Sequence, residues 1–176
     1  EVLYEYLINY NLEKLEKMNG MWSFAFYDKK KHELLLSRDL LGERHLFYTI
    51  TNDQLIFSSE IKPIISVTEN SNEMNFDSIV TSWKFTSCSP GETLLKNIYR
   101  LRPGTNLLFK NGSIKINRFQ KLHPEKWFNF FSKNPNIFEV EKKFEEIFSK
   151  EIEIRIPNEV HYFTALSGSI NSFILA

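Results

Sequence analysis

The chain has 176 residues, with 22 Lys+Arg against 22 Asp+Glu for a formal net charge of +0, and 42% of it is hydrophobic. That balance excludes a nucleic-acid or anionic-membrane partner recruited by bulk charge. One cysteine, Cys88, excludes an internal disulfide framework and argues against a Cys-based metal site.

The 16 Phe predict a sizeable core. No apolar run approaches the roughly 20 residues that span a bilayer, and no charged start precedes an apolar block, so the expected compartment is the cytoplasm. Glu1 rather than Met opens the chain, and both ends fall inside helical patterns. The expectation is a segment of a longer protein.

Val2, Leu3, Tyr6, Leu7 and Tyr10 recur at helical spacing, which predicts a helix over 1–17 ended by Asn19-Gly20. Met21–Tyr27 alternates as a strand, with Trp22, Phe24 and Phe26 on one face. A polar turn with Lys29-Lys30-Lys31 leads to a return strand at Glu33–Arg38. Leu46–Ile50 and Leu55–Ser59 form a second strand pair about Asn52-Asp53. A short helix starts at Glu60, with Pro63 in its first turn. Residues 68–75 read as a polar loop, and Asn75 or Asp77 caps the next helix. Arg100–Gly104 turns into a hairpin whose tip is Asn111-Gly112, the strongest short hairpin signal.

Residues 120–136, with Pro124 and Pro135, read as a linker. Asn136 and Glu139 form a capping pair, and Val140, Phe144, Ile147 and Phe148 give one apolar helical face ended by Pro157. The apolar run Val160–Leu166 reads as a strand. It feeds a Ser/Gly loop, Ser167-Gly168-Ser169-Ile170-Asn171-Ser172, and a helix opening at Phe173. Backbone N–H groups and a helix dipole at such a loop make an anion site, usually for phosphate. The same pattern also serves as a plain tight turn. The layout is therefore α+β over 1–119, a linker over 120–136, and the start of an α/β domain over 137–176.

Several stretches resemble the asparagine synthase (glutamine-hydrolysing) family. Leu15–Asp28 is similar to its "LNGMFAFAIYD", Arg38–Tyr48 to its "RDxxGxxPLYY", and Phe57–Lys62 to its "FASExK". Leu94–Gly104 is similar to "TLFKGIRRLPPG", and Ala165–Ser172 falls where the family has "LSGGxDS". The resemblance implies an N-terminal-nucleophile glutaminase, an α-β-β-α sandwich incomplete at its start, running into an ATP-pyrophosphatase domain. It implies glutamine hydrolysis that supplies ammonia to an adenylated carboxylate, aspartate or another acceptor, with ATP and Mg²⁺ as cofactors. A homodimer is left open.

Carried over residue by residue, Ser167, Gly168 and Ser172 match the ATP loop. Ser169 replaces the second glycine, where its side chain would obstruct phosphate, and Asn171 replaces an aspartate, leaving no anionic oxygen for Mg²⁺. The family's nucleophile is an N-terminal cysteine, a role Glu1 cannot fill. The family's glutamine-gripping residues precede the segment that matches Glu1-Val2, so no catalytic residue is assigned and this chain is expected to be inactive by itself. Cys88, in a loop beside Ser87 and Ser89, reads as structural. Arg38, Asp39, Glu60 and Lys62 read as structural pairs near the domain junction, and His45 as a strand residue. His32, His123 and His161 have no metal-like spacing. The alternative to the enzyme is a non-catalytic scaffold or interaction protein with a decayed ATP loop.

Overall fold

The computed structural model describes residues 2–9, 12–68, 73–119, 124–133, 136–156 and 160–176. The chain divides into two compact units, residues 1–122 and residues 123–176. Among the described residues, no helix is long and apolar enough to cross a membrane.

The first unit begins with α1 (Val2–Asn9), which half-buries Leu3, Tyr6 and Leu7 as their spacing requires. The expected helix over 1–17 is not continuous: a separate 3-10 helix covers Leu12–Lys17, while Glu1, Tyr10 and Asn11 lie outside the described residues. The short helical piece buries Leu15 completely.

β1 (Ser23–Asp28) and β2 (Glu33–Arg38) pair antiparallel, with Phe24 opposite Ser37 and Phe26 opposite Leu35. Phe24 and Phe26 are half-buried while Ala25 and Tyr27 are exposed, the outcome of a period of two. The lysine turn between them is held by Asp28, whose carboxylate accepts the Lys30 and Lys31 N–H groups. β3 (Phe47–Thr51) and β4 (Gln54–Ser58) form the second hairpin. Its tip residues Asn52 and Asp53 both adopt positive φ, at 48° and 58°, as a type I′ turn demands.

α2 (Ile61–Val67) follows Glu60, and α3 (Phe76–Phe85) is capped by Asn75, whose side chain accepts from the Ser78 N–H. Residues 69–72 of the expected polar loop lie outside the described residues. β5 (Tyr99–Arg100) adds to β3. β6 (Thr105–Lys110) and β7 (Ser113–Arg118) meet at Asn111-Gly112, with φ of 50° and 75°.

Among the described residues the strands form two antiparallel sheets, ordered β1-β2-β6-β7 and β4-β3-β5. Leu36 and Leu107 sit opposite each other across β2 and β6 and are fully buried. They form the core with Leu46, Tyr48 and Leu101, so both sheets contribute. Burying each such side chain stabilises by about 1.5–3 kcal/mol. Burial also raises the pKa of the Tyr48 hydroxyl, with the neighbouring Tyr99 acting the same way.

The second unit opens with α4 (Glu125–Lys133) and α5 (Ile137–Arg155). Asn136 caps α5 by accepting from the Phe138 N–H. The apolar face of α5 meets α4 around a cavity of about 370 Å³ lined by Phe130, Phe131, Val140 and Phe144. Residues 120–123 of the expected linker lie outside the described residues, as do Pro135 and Pro157.

The expected strand Val160–Leu166 is not one: these residues carry no regular structure and are exposed. A strand needs a neighbour to satisfy its N–H and C=O groups, and among the described residues none pairs with this run. α6 (Ile170–Leu175) then starts earlier than Phe173.

Candidate functional site

The Ser/Gly loop closes on itself. Gly168 holds φ at 79°, which the backbone turn requires, and a Cβ built there would meet nothing within 4 Å, so the space beside it is open. Ser169 is the N-cap of α6, its Oγ accepting from the Ser172 N–H at 3.3 Å. Ser172 is buried and its Oγ donates to the Ser169 carbonyl at 2.9 Å. The Ser167 N–H donates to Ser172 Oγ at 3.2 Å, and Ser167 Oγ stands 3.0 Å from Ser169 Oγ. The loop thus gathers the hydroxyls of Ser167, Ser169 and Ser172, while Asn171 is exposed beside them. The sequence alone does not show that Ser169 spends its hydroxyl as a cap.

Two oppositely charged, buried groups organise the first unit. Arg38 is 3% exposed and Asp39 is 1% exposed. Adjacency predicts a pair, but each bonds backbone instead. Arg38 donates through Nε to the Arg44 carbonyl at 2.6 Å and through Nη1 to the Leu101 carbonyl at 2.6 Å. Its Nη2 donates to the Gly42 carbonyl at 2.5 Å and lies 3.4 Å from His45 Nδ1. Asp39 accepts from the Leu41 and Glu43 N–H groups at Oδ1 and from the Trp22 and Arg44 N–H groups at Oδ2.

Burial works to raise the pKa of the Asp39 carboxyl, but bonds from the Glu43, Arg44, Gly42 and Trp22 backbone together outweigh it and hold the value low. Burial lowers the pKa of Arg38, helped by the charge of Arg100 and opposed by Asp39. The guanidinium stays charged all the same. Gly42, at φ 68°, lies against this knot: a Cβ there would come within 2.8 Å of Pro103 and 2.9 Å of Arg38.

A family model described as a glutamine amidotransferase domain matches residues 1–120. The chain belongs to the glutamine amidotransferase domain family. It is of the kind carried by asparagine synthetases. A Methanocaldococcus jannaschii protein named as a glutamine-hydrolysing asparagine synthetase is 28% identical over 174 residues, covering 98% of this chain and 33% of that relative. Asparagine synthetase (glutamine-hydrolyzing) 3 of Bacillus subtilis is 27% identical, covering 98% of this chain and 27% of its own length. Amidase chry2 of Gibberella zeae is 24% identical, covering 96% of this chain and 24% of its own length. The chain thus spans about a third or less of the relatives it matches.

Within this amidotransferase domain the Arg38–Asp39 knot ties together Trp22 ahead of β1, the loop 41–45 and Leu101. His45 is a loop residue before β3, not a strand residue, with its ring 5.9 Å from that of Phe47. Glu60 precedes α2 without a side-chain cap bond, and its neighbour Lys62 is exposed as it is. Cys88 is half-buried in its loop. Among the described residues no group of three or more His, Cys, Asp or Glu could hold a metal ion.

Among the buried polar residues that carry no local sequence signal are Thr93 and Asn106. Thr93 donates its hydroxyl to the Ile98 carbonyl at 2.7 Å. Asn106, on β6, is 6% exposed and its Oδ1 has no partner among the described residues. Neither carries a local signal, since their burial depends on segments distant in sequence.

Proposed function

We propose that this chain is the glutamine-using part of an asparagine synthetase-like amidoligase. Its sandwich is of the N-terminal-nucleophile type, and residues 137–176 open an ATP-pyrophosphatase domain. In the whole cytoplasmic protein, glutamine hydrolysis supplies ammonia to an adenylated carboxylate such as aspartate. The observation that carries this reading is the alignment with glutamine-hydrolysing asparagine synthetases over 98% of the chain. That alignment includes the stretch beyond the 1–120 family match, where the serine loop lies.

The loop's donors suit phosphate better than metal. The hydroxyls of Ser167 and Ser172 and the open approach to Gly168 fit phosphate oxygens of ATP. Asn171 offers only a neutral carbonyl where Mg²⁺ prefers carboxylate. When bound, ATP supplies the leaving group that activates the acceptor carboxylate.

A second reading, a non-catalytic scaffold with a decayed loop, draws on Ser169 and Asn171. Ser169 Oγ is turned into the loop and bonds Ser172. The two readings separate in ATP–pyrophosphate exchange by the full-length protein. For the enzyme with a weakened loop, Ser169→Gly with Asn171→Asp raises exchange by about 10- to 100-fold, the equivalent of one charge-assisted bond. No exchange in either form supports the scaffold. Equal, high exchange in both shows that the loop is intact as it stands.

A further inference from the structure

Beside the β3–β4 hairpin lies a cleft. β5 pairs with β3 at Phe47–Arg100 and Tyr48–Tyr99 and goes no further. Asn97 takes φ 61° and turns the chain away before the ladder reaches Ile50. Thr93 fixes that turn through its hydroxyl, 2.7 Å from the Ile98 carbonyl oxygen and 3.0 Å from that of Leu95. Between β3 and residues 96–98 a cavity of about 480 Å³ remains, lined also by Val67 and Thr68 at the end of α2. Its walls all come from residues 49–98, within the first unit.

The cleft holds polar groups without partners. Along β3, alternate residues turn their backbone groups to β4 and to β5. Leu46 accepts from the Leu101 N–H and Tyr48 pairs with Tyr99, so Ile50 is next on the β5 side. Its N–H and C=O face the cavity, and among the described residues neither meets a backbone partner there. Thr49, at the base of the cavity, is 4% exposed, and its hydroxyl makes no hydrogen bond among the described residues. Groups so deeply placed are seldom left unpaired.

The chemistry of the lining selects the occupant. Among the described residues Lys96 is the one charged residue in the wall, and Glu73 already pairs with it. A ligand of net charge therefore finds no free countercharge, which disfavours nucleotides and dicarboxylates. No aromatic ring lines the wall to stack a base. The Ile50 N–H and C=O point the same way, and a carboxamide answers both with its own C=O and N–H. Lys96 and Glu73 set a cation and an anion side by side, as the carboxylate and ammonium of a zwitterion require. We propose that this cleft binds a free amino acid with a carboxamide side chain. The carboxamide lies on the Ile50 backbone and the Thr49 hydroxyl, and the zwitterion meets Lys96 and Glu73. The site does not depend on the amidotransferase reading.

Two-dimensional NMR of the isotope-labelled 176-residue chain tests this. L-asparagine and L-glutamine should shift the backbone amides of Thr49, Ile50 and Asn97, with the millimolar affinity expected of so small a ligand. L-leucine and L-aspartate, close to asparagine in shape, should bind at least about tenfold more weakly, because they leave the cleft's polar groups unpaired or bring a net charge. Thr49→Val keeps the side-chain shape and should weaken binding about 3- to 10-fold, with the rest of the spectrum unchanged. Lys96→Met, at a half-exposed position, should do the same. No shift at Ile50 and Asn97 with either carboxamide up to about 20 mM, equal shifts with L-leucine, or unchanged affinity in both variants overturns the proposal.

Discussion

At Asp39 a carboxylate lies almost wholly out of water and keeps its charge because backbone N–H groups surround it. Removing the acceptor leaves those donors buried and unpaired, so Asp39→Ala should lower stability by about 3 kcal/mol in urea unfolding. Asp39→Asn, which keeps one acceptor oxygen, should cost less. The pH dependence follows from the direction of the shift. The folded carboxyl titrates below its unfolded value of about 3.9, so its contribution is complete above that value and is lost as pH falls through the lower folded one. The acid limb of an unfolding titration should therefore be shallower in Asp39→Asn than in the parent. Asn106 is the opposite case. Its Oδ1 is buried without a partner among the described residues, on a strand position opposite Ser37. Asn106→Leu, which replaces the unpaired Oδ1 with an apolar group, should raise stability by about 1 kcal/mol, measured by the urea midpoint.

Among the elements, hairpins and caps are where local chemistry and tertiary contacts meet. Gly112 adopts φ 75°, and a Cβ there would stand 3.2 Å from Asp53 Cβ, at the tip of the other hairpin. Gly112→Ala therefore carries both backbone strain and crowding and should cost roughly 1–2 kcal/mol by thermal unfolding. Asn75 caps α3 through its oxygen and donates through Nδ2 to Glu92 at 3.1 Å. Asn75→Ala removes both bonds and should cost about 1–2 kcal/mol, with Asn75→Asp recovering the cap but not the link to Glu92.

For the molecule as a whole, catalysis of glutamine hydrolysis needs a nucleophile with a base at hand. The one cysteine in residues 1–176 is Cys88, half-buried and well inside the chain. Purified chain should release no ammonia from glutamine above a protein-free blank, and Cys88→Ser should change nothing. Ammonia release abolished by Cys88→Ser would make Cys88 a nucleophile.

Turn chemistry, caps and strand alternation are legible in the sequence because they are decided within a few residues. Asn111-Gly112 and Asn52-Asp53 need only positive φ, and Asn75 and Asn136 need only an N–H two or three residues ahead. The family motifs are legible as strings, and the amidotransferase match over 1–120 agrees with the four that lie within it. What the serines of the loop do to one another is not legible, because a cap bond and a ligand bond use the same hydroxyl. The strand expected at Val160–Leu166 fails for a related reason. Alternation and apolarity describe one chain segment, whereas a strand exists only with a partner to take its hydrogen bonds. Likewise Arg38 and Asp39, adjacent and opposite in charge, look like a pair in one dimension. Only folding brings Trp22, the loop 41–45 and Leu101 around them, and those fixed backbone dipoles win over the neighbouring side chain.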